Sequence, residues 1–289
     1  MNNDGNNPLE NGSEIMKTMT ESMVNVTKIL DYFRNSFGIG PSVIEAYKKI
    51  LNDYINSSQH TPEEKLCFAA TYKQKIRKLQ NCQNVIDDAV KDCEVNADPS
   101  KVDADWFTFF FEKVKNISNE SLRLVLSNIL KTEINQPDTV SKTLIQTLSI
   151  ISRKQLEIFC EVSRFCWDEY QSDLTHLFVF VADEPKAYAD SLITWEKLKE
   201  LERLGLVICD STVGFALEGN RTFRKGQIVV EVTADKNGAI PTGNVKFTDD
   251  GKTLYDFLDR ELIKTYRADI FDFLINELNK KGCSTWVRR

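Results

Sequence analysis

Two histidines, His60 and His176, are the only imidazoles in 289 residues. That count excludes a zinc site built on several histidines. The seven cysteines (Cys67, Cys82, Cys93, Cys160, Cys166, Cys209, Cys283) contain no CxxC and no close Cys/His spacing. An odd number without framework spacing reads as reduced, mostly buried small hydrophobes in a cytoplasmic protein. His60 precedes Thr61-Pro62 and reads as a turn residue, and His176 borders an apolar run, so neither is expected to act as a general acid or base. The paired carboxylates Asp87-Asp88, Asp103/Asp105 and Asp249-Asp250 lack the strand-end recurrence of a two-metal nuclease, and the last pair reads as helix N-terminal charge. No phosphate-binding P-loop, GxGxxG, GxSxG, HExxH or kinase motif set occurs. The sequence predicts a protein without catalysis, cofactor or metal. The enzymatic alternative is a nuclease-like activity with no recognisable motif.

Basic side chains are the other chemistry available. Lys plus Arg is 37 against 43 Asp plus Glu, a net charge of −6. Residues 191–289 hold 16 basic and 15 acidic side chains, net +1, which leaves −7 on the remainder. A dedicated DNA binder shows a basic footprint, because phosphate contacts dominate affinity. Near residue 200, Glu196, Lys197, Lys199, Glu200, Glu202 and Arg203 nearly cancel. Arg221, Arg224 and Lys225 cluster further on. A DNA-reading alternative therefore uses Thr194, Lys197 and Lys199 toward a groove and Arg221, Arg224 and Lys225 on phosphates. A second basic group, Lys73, Lys75, Arg77 and Lys78, reads as the solvated face of a long helix. The aromatic run Trp106, Phe107, Phe109, Phe110 and Phe111 is flanked by Asp103, Asp105 and Glu112. It reads as core rather than as a base-stacking platform.

The elements that must position these groups follow from periodicity. Apolar residues make up 42% and charged residues 28%, ordinary for a globular chain of about two domains. Residues 1–14 are polar and acidic and read as a disordered tail, without the pattern of a secretory signal. Helices are expected over 15–35, 42–55, 62–93 (opened by a Thr61–Glu64 capping box), 103–116, 120–134, 139–151 and 153–170, with Ser118 and Ser152 as caps. The run His176–Ala182 then reads as a buried strand. A helix over 191–207 follows, with strands near 214–218, 226–234 and 243–248, two further helices and an edge strand at 283–288. No apolar run approaches the roughly 20 residues of a membrane span. The fold class is mainly α with a smaller α+β part. The boundaries are a helical domain over 15–150, a winged-helix-like domain over 151–266 and a C-terminal helix and edge strand over 267–289.

One pair of segments carries that last expectation. Leu198-x-x-Leu201-x-x-x-Gly205-Leu206-Val207 buries a helix face, caps it with glycine and enters a strand. Phe247-Thr248-x-x-Gly251-x-x-Leu254 leaves a strand and starts a helix that packs back. Over residues 190–258 this resembles the latter half of a winged helix-turn-helix domain. The middle of the chain also resembles an uncharacterised bacterial family. The resemblance rests on Trp106, Ile117-Ser118-Asn119-Glu120, Ile129-Leu130-Lys131-Thr132-Glu133-Ile134, Pro137 with Ser141, and Thr143-Leu144. Arg77, Asn81, Ile86 and Ala89 extend it upstream. Val125, Lys131-Thr132 and Lys142 depart from the family's usual Trp, Ala-Gly and Arg, which suggests a distant member. The family brings no established activity, and it implies an accessory bacterial component, with phage defence by association. Of its polar residues, Glu120 is expected in a helix first turn, Ser141 as a cap, and Glu133 paired with a buried Lys or Arg. The expected function is a non-catalytic interaction or regulatory protein whose winged-helix-like module contacts a protein. The helix over 15–35 offers a route to self-association.

Overall fold

The computed structural model describes residues 8–172, 174–180, 193–258 and 268–288. The fold is mainly helical with a smaller antiparallel α+β part. The chain divides into two compact units, residues 1–149 and 150–289.

The first unit holds α1 (Pro8–Phe37), α2 (Pro41–Asn56), α3 (Pro62–Val90), α4 (Ala104–Val114), α5 (Glu120–Asn135) and most of α6 (Lys142–Ile150). The first helix starts at Pro8, within the expected tail, leaving residues 1–7 outside the described part. Proline suits a first helical turn. Thr61 opens α3 with the expected capping box: Glu64 N–H donates to Thr61 Oγ1 at 3.3 Å, and Thr61 N–H donates to Glu64 Oε2 at 2.9 Å. Asp103 caps α4 through the Asp105 N–H at 2.8 Å. The aromatic run is core as expected. Phe107 meets Phe33 edge-on at 5.2 Å, Phe37 meets Phe107 at 5.7 Å, and Trp106 stacks on Phe110 at 5.0 Å. Phe109 is the half-exposed member, beneath the Lys113 ammonium.

The second unit opens with α7 (Arg153–Ser163), capped by Ser152 and Gln155 as a capping box. The helix expected to reach residue 170 stops at Ser163, and Cys166–Glu169 is strand β1 instead. Cys166 and Trp167 point to opposite faces of this strand, and both are buried. β2 (Thr175–Leu177), β5 (Arg221–Lys225), β6 (Ile228–Thr233) and β9 (Ser284–Arg288) complete a five-stranded sheet in the order β2-β1-β5-β6-β9, all antiparallel. The strand expected over 226–234 is β6, and it pairs in a hairpin with β5, which was not expected: Lys225 lies opposite Ile228, and Gly226 takes φ 61° in the two-residue turn. Two smaller ladders join β3 (Val207–Cys209) to β8 (Val245–Phe247), and β4 (Phe215–Glu218) to β7 (Ala239–Gly243).

The helices of this unit are α8 (Trp195–Arg203), α9 (Asp249–Phe257) and α10 (Ala268–Lys280). Phe223, Val230 and Val287 lie opposite one another across three strands. Phe223 and Val230 join Trp167, Phe178, Val232 and Ile240 in a core closed by Phe271, Leu274 and Leu278 of α10. Strand β9 is an edge strand, as expected. Residues 181–192 and 259–267, which hold parts of the expected helices over 191–207 and beyond 257, lie outside the described residues.

Candidate functional site

The residues that carry the family resemblance converge on the turn between α5 and α6. Glu133 is 1% exposed. Its carboxylate pairs with backbone rather than with the expected Lys or Arg. The N–H of Asp138 donates to Oε1 at 2.8 Å, and those of Thr139 and Val140 donate to Oε2 at 3.2 and 2.9 Å. Three converging amides satisfy a buried carboxylate without a cation. Asp138 makes this possible by taking φ 65°, which turns the chain back over the carboxylate. The carbonyl of Val140 accepts from Trp106 Nε1 at 2.8 Å, tying α4 to the same turn. Ser141 accepts the Leu144 N–H at 2.9 Å and caps α6, as expected. Pro137 sits in the turn itself. Ser118 does not cap α5; the neighbouring Asn119 does, through the Leu122 N–H at 3.2 Å, because the helix begins at Glu120. Glu120 is exposed and lies 3.5 Å from Arg123 in the first turn. Asn81, upstream, donates to the Lys115 carbonyl at 3.0 Å. The motif is an architectural clasp.

The second sequence constellation is also a clasp. Gly205 ends α8 at φ 72°. Thr248 Oγ1 donates to the Gly205 carbonyl at 2.6 Å and accepts the Gly251 N–H at 2.9 Å, and Thr248 N–H donates to the Leu206 carbonyl at 3.2 Å. Gly251 lies so close to that carbonyl that a Cβ there would meet its oxygen at 1.8 Å. The two segments thus lock α8, the β3–β8 ladder and α9 together, and the glycine is demanded by close approach.

The six candidate DNA-contacting residues are scattered in role. Thr194 is the N-cap of α8, its side chain accepting the Lys197 N–H. Lys199 donates to Glu202 at 2.7 Å and lies over the Trp195 ring. That hydrogen bond raises the Lys199 pKa and, first among its causes, lowers that of Glu202. Glu202 also accepts the Cys209 N–H at 2.8 Å, fastening α8 to β3. Arg221 lies 3.5 Å from Glu169, which His176 also contacts at 2.9 Å. Lys225 is 7% exposed, and its ammonium donates to the carbonyls of Arg164 and Cys166. It is a buried fastener, not a phosphate contact. Strand alternation explains the difference: Arg224 points to solvent, and Lys225 points to the opposite side. Lys197 is half-exposed, and Arg224 is exposed.

The sequence reading missed what surrounds Arg224. Two rows cross the solvent side of the sheet in register. Asp168, Arg224, Val229 and Arg288 form one row, and Thr222, Glu231 and Trp286 form the other. Trp286 is 56% exposed. The Arg288 guanidinium lies 4.4 Å over its ring and 2.7 Å from Glu231. The signal was present in the sequence: in Ser-Thr-Trp-Val-Arg, tryptophan shares its phase with serine and arginine, the polar phase of the strand.

Nucleophilic chemistry finds little support in the thiols. Burial pushes Cys82 up to about 12 and Cys93, Cys160 and Cys209 up to about 11, and raises Cys166 and Cys283. Cys67 is the exposed one. Among the described residues no group of three or more His, Cys, Asp or Glu could hold a metal ion, and no helix is long and apolar enough to cross a membrane.

Residues 69–270 match the sequence pattern of DUF2806, described as a protein of unknown function. The match covers both constellations and most of the sheet. No curated protein and no solved structure matches the chain.

Proposed function

We propose that this chain, which belongs to the DUF2806 family, is a non-catalytic interaction or regulatory protein whose second unit docks a protein partner. Trp286 carries the reading. A half-exposed tryptophan, capped by an arginine and set in two registered rows of mixed side chains, is the composition of an interface anchor. The order α8, β3, inserted hairpins, β8, α9, with its Thr248 clasp, supports a winged-helix reading of the unit. The DNA-reading alternative for this unit is weakened by the internal engagement of Lys199, Arg221 and Lys225.

The test is a quantitative co-precipitation from bacterial lysate with the wild-type chain, Trp286→Ala/Arg288→Ala, and the exposed control Val213→Ser. A protein recovered in near-equal amount with wild type and control, and lost with the double variant, is the expected result. An unchanged set of captured proteins would overturn the reading.

A further inference from the structure

The basic group on α3 has properties that its sequence did not disclose. Helices α2 and α3 pair as an antiparallel hairpin, and α3 has no buried residue before Ile76. Its first half packs against α2, with Ile44, Leu51 and Ile76 as the buried members of the cluster between them. A ladder of rings stiffens the pair: Tyr54 stacks on His60 and on Phe68, each at 3.8 Å, and Phe68 stacks on Tyr72 at 4.1 Å. We call this α2–α3 hairpin the arm.

From Lys65 to Ile86 the chain carries five basic residues and no acidic one, in a protein of net charge −6. Elsewhere in the unit, cations are commonly neutralised: Arg34 by Asp31, Lys48 by Glu45, Lys91 and Arg123 by Asp88, Lys115 by Glu112. Lys65, Lys73, Lys75, Arg77 and Lys78 form no ion pair among the described residues. Lys75 is exposed, and its ammonium lies 5.1 Å over the Tyr72 ring. At 3.6 residues per turn, Lys73, Arg77, Lys78 and Lys75 fan over roughly 200° of the helix circumference, opposite Tyr72, Ile76 and Leu79. Lys65 to Lys78 spans about 20 Å at 1.5 Å per residue.

A flat acidic surface could neutralise one stripe of such a helix. Cations around the whole solvent side match a groove walled by anions on both sides, which a nucleic-acid duplex provides. A duplex also offers about one phosphate per 1.7 Å of axis, enough for every cation on the arm. We infer that the α2–α3 arm is a binding element for the phosphate backbone of duplex nucleic acid, separate from the protein-docking face of the second unit. The family match begins at residue 69, so α2 and the tip of α3 lie outside it.

The test measures binding of the full chain to fluorescent 30-base-pair DNA and RNA duplexes across a salt series. The variants are Lys73→Gln/Lys75→Gln/Arg77→Gln/Lys78→Gln and the milder pair Lys73→Gln/Arg77→Gln. Glutamine keeps a helix propensity close to that of lysine and arginine. Wild type should bind with a log K against log salt slope of about −4. The quadruple variant should bind roughly 100-fold more weakly or worse at about 100 mM salt, and the pair should reduce the slope by about 2. A control Lys154→Gln/Lys236→Gln, two exposed cations of the second unit, should leave the binding unchanged. DNA binding alone, RNA binding alone or both would each support the arm and name its ligand. No binding to either duplex at about 50 mM salt, or equal binding by wild type and both arm variants, would overturn the inference. So would a sedimentation shift from dimer to monomer in the variants without any duplex binding, which would assign the arm to self-association. Loss of the Trp286-dependent protein partner would not affect this result, so the two readings fail separately.

Discussion

The α5–α6 turn and the α2–α3 arm use charge in opposite ways. Glu133 is one buried carboxylate with three amide donors around it, and nothing outside the turn is needed to satisfy it. Of the arm cations, Lys73, Lys75 and Arg77 are exposed and Lys65 and Lys78 half-exposed, and no side chain among the described residues forms an ion pair with them. A charge satisfied inside the fold contributes to stability. A charge left unsatisfied outside it is available for a partner. The first kind of residue should therefore cost stability when changed, and the second should cost binding.

The largest expected effect tests the first half of that contrast. Glu133→Ala removes the acceptor of three amides, that of Val140 buried and the other two part-buried, and should lower unfolding free energy by about 3–5 kcal/mol in urea titrations. A loss below about 1 kcal/mol would show that water replaces the carboxylate and that the clasp is decorative. Gly251→Ala comes next, because its methyl must displace the Leu206 carbonyl. A loss of roughly 2–4 kcal/mol is expected, with circular dichroism and thermal melting as readout. Full stability in that variant would mean that α9 shifts freely against β3.

Cys82 gives a smaller, pH-dependent effect. Its folded value is raised from 9.0 to about 12, so the folded chain keeps a proton that the unfolded chain loses. The stabilisation is fully present below about pH 9 and is lost as pH rises toward about 12. Between about pH 8 and pH 10.5, Cys82→Ala should therefore lose stability less steeply than wild type in urea titrations. Parallel curves would show that this thiol is wetter than its burial suggests. The smallest effect belongs to the arm. Lys73→Gln/Lys75→Gln/Arg77→Gln/Lys78→Gln should change unfolding free energy by no more than about 0.5 kcal/mol. A larger loss would mean that these cations hold the fold after all, and the contrast would collapse.

Local rules of sequence carried far here, and their failures share a cause. The Thr61 and Ser152 capping boxes, the aromatic core and the β9 edge depend on neighbours a few residues away, or on simple periodicity. The Glu133 clasp was visible only as a motif, because its meaning depends on how Asp138 turns the chain. Strand β1 looked like the end of α7, because a short buried strand and a helix terminus have similar composition. Lys225 looked like a neighbour of Arg224 on the same surface, and the one-residue alternation of a strand sends it inward. The exposure of Trp286 needed the register of three strands, and the unpaired state of the arm cations needed the ion pairs of the whole unit. Each miss lies where long-range partners, rather than local propensity, decide what a residue does.

Helix α3 runs unbroken from Pro62 to Val90, buried in its second half and exposed in its first. It therefore behaves as a drive shaft. One inserted residue between Ala69 and Ile76 would rotate the tip by about 100° and advance it about 1.5 Å, swinging the part of the arm beyond the insertion away from whatever it faced. Seven inserted residues would restore the phase to within about 20° and lengthen the reach by about 10 Å. Arm length and arm aim are geared to one another, and insertions that preserve its working direction are those of about a whole number of turns, such as 7, 11 or 18 residues.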